Sequence, residues 1–202
     1  MQTKSLEPTL ISLVHLSGER VHRTKLVKLV YLTDLRFHEL TGQTLTGLRY
    51  MWDNYGPNAV SNAIVKEADR LVSKGVLRMS AQQSAYGTGS FRYWTSPEEA
   101  EQALSDLGPG ERQVVRDIAR EFGKQSVKSI VAASKQTAPF SKAQQYDVLE
   151  MEYDQAATRQ GKEMGQDGSF REALQSGLRD AARGNVITQE ELDQRFSRRA
   201  QS

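Results

Sequence analysis

Hydrophobic positions repeat at three- and four-residue spacing as far as residue 150 and alternate only briefly near the middle of the chain. After Pro8, which suits a first helical turn, Leu10, Leu13, Val14 and Leu16 predict a short helix over 7–17, closed by Ser17 and Gly18. From Thr24 to Thr41 the residues Leu26, Leu29, Val30, Thr33, Phe37 and Leu40 share one helical face. Lys25, Lys28 and Arg36 are turned away from it, and Gly42 supplies the stop. The aromatic stretch Leu48 to Tyr55, bounded by Gly47 and by Gly56-Pro57, predicts a short strand or ordered turn. A helix is expected next, opened by Pro57, with Ala59, Ala63, Ile64, Ala68, Leu71 and Val72 on its apolar face and Gly75 as its cap.

Val76 to Ser80 and Ser90 to Thr95 read as two strands joined by the polar loop Ala81 to Gly89, hence a hairpin. Pro97 with Glu98, Glu99 and Glu101 opens a helix whose acidic first turn suits the positive end of the helix dipole. After the break at Gly108-Pro109-Gly110, Val114, Val115, Ile118 and Phe122 predict a helix over 111–122, and 126–135 predicts another that Pro139-Phe140 ends. The fold class that follows is α+β and mostly α-helical: a helical domain with a small antiparallel β-hairpin and a winged-helix-like order in its middle.

Apolar periodicity thins beyond this point. A domain over 1–155 is expected, then a polar, glycine-dotted linker over 156–169, then an amphipathic C-terminal segment over 170–202. In that last segment Phe170, Leu174, Leu178 and Ala181 repeat at helical spacing, and Thr188 with Glu191 makes a capping box. Phe170, Leu174, Leu178, Val186, Ile187 and Leu192 are candidate anchors for a groove on a partner; the competing reading packs the same residues back onto their own domain.

Composition removes several classes of chemistry. The 202 residues contain no cysteine, so there is no disulfide, thiolate metal site or cysteine nucleophile. The histidines His15, His22 and His38 are 7 and 16 residues apart, which puts no two of them within a turn on one helical face. Carboxylate pairs such as Glu98–Glu99 and Glu190–Glu191 sit at polar helix starts, where capping explains them better than acid–base work. With no phosphate loop, dinucleotide fingerprint or nucleophile elbow, neither an enzyme nor a cofactor is expected. No window is long and apolar enough for a membrane span and no leader-like start is present, so a cytoplasmic protein is expected. The formal charge of +2 is too small to make the whole chain a polyanion binder, although Arg20, His22, Arg23, Lys25 and Lys28 form a basic stretch.

Three local patterns in fixed order carry a resemblance. The first is Lys25-Leu26-Val27-Lys28-Leu29-Val30-Tyr31, then Asp34 and Leu40-Thr41-Gly42. The second is Leu45-Thr46-Gly47-Leu48-Arg49-Tyr50 leading to Tyr55-Gly56-Pro57, and the third is the following helix to Lys74-Gly75-Val76-Leu77. Together they resemble the Panacea domain, a family that includes SocA-like antitoxins. One departure is Asn58, where that family more often has a small or valine-like residue. The resemblance implies an antitoxin that binds a cognate protein toxin in a bacterial or phage toxin–antitoxin system. It would act by blocking the toxin or by delivering it to a protease or chaperone. Lys25, Lys28, Tyr31 and Tyr55 are candidate contact residues beside the C-terminal anchors, although the residues themselves read rather as structural: Gly56 and Pro57 shape a turn that Tyr55 pins to the core, Tyr31 fits a core position, and Lys25 and Lys28 fit a solvated face.

A DNA-binding regulator is the alternative, because the helix ending at Lys74, the two strands and their loop have the order recognition helix, strand, wing, strand. Electrostatics weakens it: Lys66, Arg70 and Lys74 face Glu67 and Asp69 on that helix, and the loop over 81–89 carries no charge. DNA binding would then serve as autoregulation beside toxin binding.

Overall fold

A computed structural model of the chain describes residues 5–18, 20–83 and 89–151. Every described residue lies in the first of the chain's two units, Met1–Tyr153. The linker and the candidates Phe170, Leu174, Leu178, Val186, Ile187 and Leu192 lie outside the described residues.

In chain order the elements are α1 (Leu6–Leu16), β1 (Val21–His22), α2 (Arg23–Thr41), β2 (Tyr50–Asp53), β3 (Gly56–Ala59), a 3-10 turn (Val60–Asn62), α3 (Ala63–Ser73), β4 (Arg78–Gln83), β5 (Gly89–Trp94), α4 (Pro97–Asp106), α5 (Pro109–Phe122), α6 (Val127–Lys135) and α7 (Ala138–Lys142). A three-stranded antiparallel sheet has the order β1-β5-β4, and β2 pairs with β3 in a second, two-stranded sheet. The first helix, strand, second helix, third helix and hairpin thus follow a winged-helix order, with the β2–β3 hairpin inserted between α2 and α3. The sequence pattern anticipates the β4–β5 hairpin. It does not anticipate β1, whose two residues join β5 about 70 positions later in the chain.

Helix α2 is the centre of the molecule. It packs against α1, α5, α6 and β3, and every residue from Leu26 to Leu35 is buried. This corrects the single-faced pattern expected for it: Lys28 lies inside rather than turned to solvent, while Leu40 beyond the buried stretch is 59% exposed. A helix enclosed on all sides must be apolar all round or must satisfy each polar group it carries. Thr33 does so by donating its hydroxyl to the Leu29 carbonyl at 2.8 Å. The helix ends where expected, at Gly42, whose φ of 74° is left-handed and whose N–H donates to the His38 carbonyl at 2.8 Å.

The segment 56–62 departs from its sequence pattern. Pro57 does not open a helix; Gly56 to Ala59 pair with β2 as strand β3, and α3 begins at Ala63. Ser61 and Asn62 have φ of 59° and 54°, a left-handed pair that interrupts any continuous helix from Ala59. Asn58 helps to hold this path, since its amide donates to Asp53 Oδ2 at 3.0 Å and to Asn62 Oδ1 at 2.9 Å. Tyr55 does not pin the turn either, being 72% exposed at the tip of the hairpin.

Gly56 has a φ of 94°, and a Cβ built there would lie 3.3 Å from Lys135 Cγ and 3.4 Å from Ser134 Oγ on α6. Conformation and space both favour glycine. Gly56→Val is expected to lower the unfolding free energy by roughly 1 to 3 kcal/mol, read as a depressed melting temperature. An unchanged melting curve would show that the β2–β3 turn does not depend on this backbone geometry.

Candidate functional site

An aspartate in the middle of a buried helix needs partners, because an unpaired carboxylate in the interior costs several kcal/mol. Asp34 is fully buried on α2 and finds them on the segment after that helix. It accepts the Thr46 backbone N–H at 2.7 Å, the Thr46 hydroxyl, and the Tyr50 hydroxyl at 2.6 Å. Burial pushes the Asp34 carboxyl upward in pKa, and the donors from Thr46 and Tyr50 pull against that shift. Tyr50 is itself fully buried, and its hydroxyl is raised well above the ordinary tyrosine value by burial and then by the Asp34 charge. Its ring meets Tyr31 edge-on, with centroids 5.1 Å apart. Tyr31 in turn shares a 2.6 Å hydrogen bond between its hydroxyl and that of Thr137 and is pushed up to about 12, chiefly by burial.

Less than two turns earlier on α2, Lys28 crosses to the inserted hairpin, where its ammonium donates to the Pro57 carbonyl at 2.5 Å. Burial lowers its pKa to about 8; Asp53 opposes that shift and Lys135 adds to it. Lys25 donates to the Gly123 carbonyl at the end of α5. The chain from Gln144 to Leu149 completes the other side of the hairpin: the Trp52 N–H donates to the Asp147 carbonyl at 2.9 Å, and the Leu149 N–H to the Tyr50 carbonyl at 2.8 Å.

Of the candidate contact residues, Lys28 and Tyr31 are therefore committed to internal bonds, and Lys25 is half-buried against α5. Tyr55 alone among these four presents most of its side chain to solvent. It has company that the sequence did not flag. Tyr146 is 61% exposed with a φ of 73°, and its N–H donates to the Trp52 carbonyl at 2.9 Å. Gln145 donates to the Asn54 side chain at 2.8 Å, and Val148, bridged to Met51, is also exposed. These bonds run Tyr146 and Val148 alongside β2, the strand that leads into the turn carrying Tyr55, so that two tyrosines and a valine are exposed on this hairpin and the chain beside it. No periodicity could have announced it, because Tyr55 and Tyr146 are 91 positions apart and both lie outside helices and strands.

On α3, the cations that a DNA-recognition helix would need are partly neutralised. Arg70 pairs with Glu67 and with Glu7 of α1, both at 2.5 Å, and Asp69 pairs with Arg23 at 3.2 Å. Among the described residues, no group of His, Asp or Glu side chains is arranged to hold a metal ion, and no helix is long and apolar enough to cross a membrane.

The depressed pKa of Lys28 makes a signed prediction. A base whose pKa is lower in the folded state costs stability wherever it stays protonated, so the cost is full below about pH 8 and fades as the pH rises toward the ordinary lysine value of 10.5. Relative to Lys28→Met, the wild-type protein should gain up to about 3 kcal/mol of unfolding free energy between about pH 7.5 and pH 10.5, measured by denaturant titration. A difference that stays flat across this range would mean that Lys28 is not held in a desolvated site.

Neither the curated proteins nor the solved structures contain a match to this chain. Residues 26–140 match the family described as "Antitoxin SocA-like, Panacea domain". The matched stretch runs from the first turn of α2 into α7 and takes in Lys28, Tyr31, Asp34, Thr46, Tyr50, Pro57 and Thr137, the residues that bind the central helix to the inserted hairpin and to α6–α7. With more than half of its length in the match, the chain belongs to the SocA-like antitoxin family and carries its Panacea domain.

Proposed function

We propose that the protein is an antitoxin that neutralises a cognate protein toxin by direct binding, within a bacterial or phage toxin–antitoxin system, and that it performs no chemistry of its own. The family match over residues 26–140 carries this reading, since it implies a role in a toxin–antitoxin pair and hence a toxin partner. The polar groups of the interior support the binding half of it. Asp34, Tyr50, Tyr31 and Lys28 are used to fix the inserted hairpin, and each is turned inward onto protein partners rather than toward solvent.

The contact surface we favour is the end of that hairpin. Tyrosines are efficient interface anchors because a large, nearly rigid ring buries apolar area while its hydroxyl keeps a hydrogen bond. Tyr55 and Tyr146 offer two such rings on a base held by main-chain bonds. The C-terminal residues Phe170, Leu174, Leu178, Val186, Ile187 and Leu192 are proposed as a second set of anchors on their sequence pattern alone. Blocking of the toxin and delivery of it to a protease or chaperone are both compatible with such contacts.

The experiment is co-expression with the toxic reading frame adjacent to the gene, followed by calorimetry on the purified pair. Growth should be rescued, and the double change Tyr55→Ala with Tyr146→Ala should weaken binding roughly 10- to 100-fold while leaving the melting temperature within about two degrees. Failure of the chain to bind or rescue would overturn the antitoxin reading. Intact affinity in the double variant would instead move the interface away from this hairpin.

A further inference from the structure

Strand register gathers cations that the sequence scatters. His22 of β1 lies opposite Arg92 of β5, Arg92 lies opposite Ser80 of β4, and two positions along Trp94 lies opposite Arg78. Side chains alternate between the faces of a sheet, so these residues share one face while Val21, Tyr93 and Met79 share the other. Val21 and Tyr93 are buried, which makes theirs the core side and the arginine face the outer one. Arg20, two residues before His22, belongs to the same outer face: its guanidinium lies 5.0 Å from the centre of the Trp94 ring.

Arg20, Arg78 and Arg92 are all exposed, and among the described residues none forms an ion pair with a carboxylate. That contrasts with Arg23 and Arg70, which the fold pairs with Asp69, Glu67 and Glu7. Three guanidiniums with no carboxylate partner among the described residues, two on an antiparallel sheet and one just before it, form a surface complementary to closely spaced anions, and the planar fork of arginine matches phosphate oxygens two at a time. The charge that a DNA-binding reading would seek on α3 and in the hairpin loop is carried instead by the strands and by the residues leading into β1.

We propose that this outer sheet face binds the phosphodiester backbone of duplex DNA, with Arg20, Arg78 and Arg92 contacting phosphates. A duplex fits better than a single strand because the aromatic ring on this face is half-buried and covered by Arg20, so it offers no open platform on which a base could stack. Contacts of this kind position a protein on DNA without reading its sequence. The site is separate from the tyrosine surface of the β2–β3 hairpin and does not depend on toxin binding.

The test is fluorescence anisotropy of the full chain with a labelled duplex of about 20 base pairs and mixed sequence, from about 50 to 300 mM salt. Wild-type protein should bind saturably. Arg78→Gln with Arg92→Gln should weaken binding at least roughly tenfold at low salt and lower the slope of log affinity against log salt by about 2, close to one unit for each phosphate no longer neutralised. The single variants should each lower it by about 1, which keeps the result readable if the double variant folds poorly. Lys124→Gln with Lys128→Gln, the same change of charge at exposed positions on and before α6, should leave binding within about twofold. Absence of saturable wild-type binding, or an equal loss in this control, would overturn the proposal. Tighter binding to the matching single strand, or equal competition by polyglutamate, would overturn it in favour of a stacking site or an acidic protein partner.

Discussion

The fold depends on a carboxylate buried in its central helix. Asp34 is enclosed by the protein with no cation paired to it among the described residues; it is solvated by the main chain and hydroxyl of Thr46 and by the hydroxyl of Tyr50. Removing any one donor leaves a buried carboxyl oxygen short of a partner, so the segment from Leu45 to Tyr50 must follow α2 in one path. That path sets the position of β2, and β2 aligns both β3 and the returning chain at Gln144 to Leu149. Lys28 makes the second tie, from the same helix to the far strand of the hairpin. Two polar residues less than two helical turns apart thus fix an insertion that helix packing alone would leave free to slide.

This arrangement separates scaffold from surface. The residues that carry the family resemblance in sequence are mostly spent inside, and what they secure is a hairpin with Tyr55 exposed at its turn and Tyr146 exposed on the chain that returns along β2. Substitution is expected to be tolerated at the hairpin's exposed tip, where the tyrosines meet solvent, but not at its buried base. The arginine face of the other sheet is held by a separate set of contacts, including the stacking of Arg23 over Phe91 and its hydrogen bond to Tyr93 at 2.9 Å.

Much of the helical framework was legible because helical periodicity and capping are local. Gly42 and Gly75 end their helices in the left-handed conformation expected of them, and Ser96 and Ser126 cap α4 and α6 through their side chains. What escaped was set by partners distant in the chain. Val21 and His22 form a strand only because β5 lies beside them. Gly56-Pro57 looked like a helix start, and became a strand because β2 and Lys28 satisfy its backbone instead. Lysine is seldom enclosed, so Lys28 reads as solvated; the one hint to the contrary is its place among Val27, Leu29 and Val30 in a stretch with Asp34 that cannot all face water. Tyr55 could have served as core or contact on sequence alone; its exposure follows from the tightness of the β2–β3 turn.

If Asp34 and Tyr50 act as one buried unit joining α2 to the hairpin, a double-mutant cycle measures that unity most directly. Denaturant unfolding of the wild-type protein, Asp34→Asn, Tyr50→Phe and the double variant gives the coupling between the two side chains, free of what each contributes by itself. A favourable coupling of about 1 to 3 kcal/mol is predicted, with the double variant less destabilised than the sum of the single ones. Strictly additive losses would contradict this and would reduce Asp34 and Tyr50 to neighbours that share a core without holding each other in place.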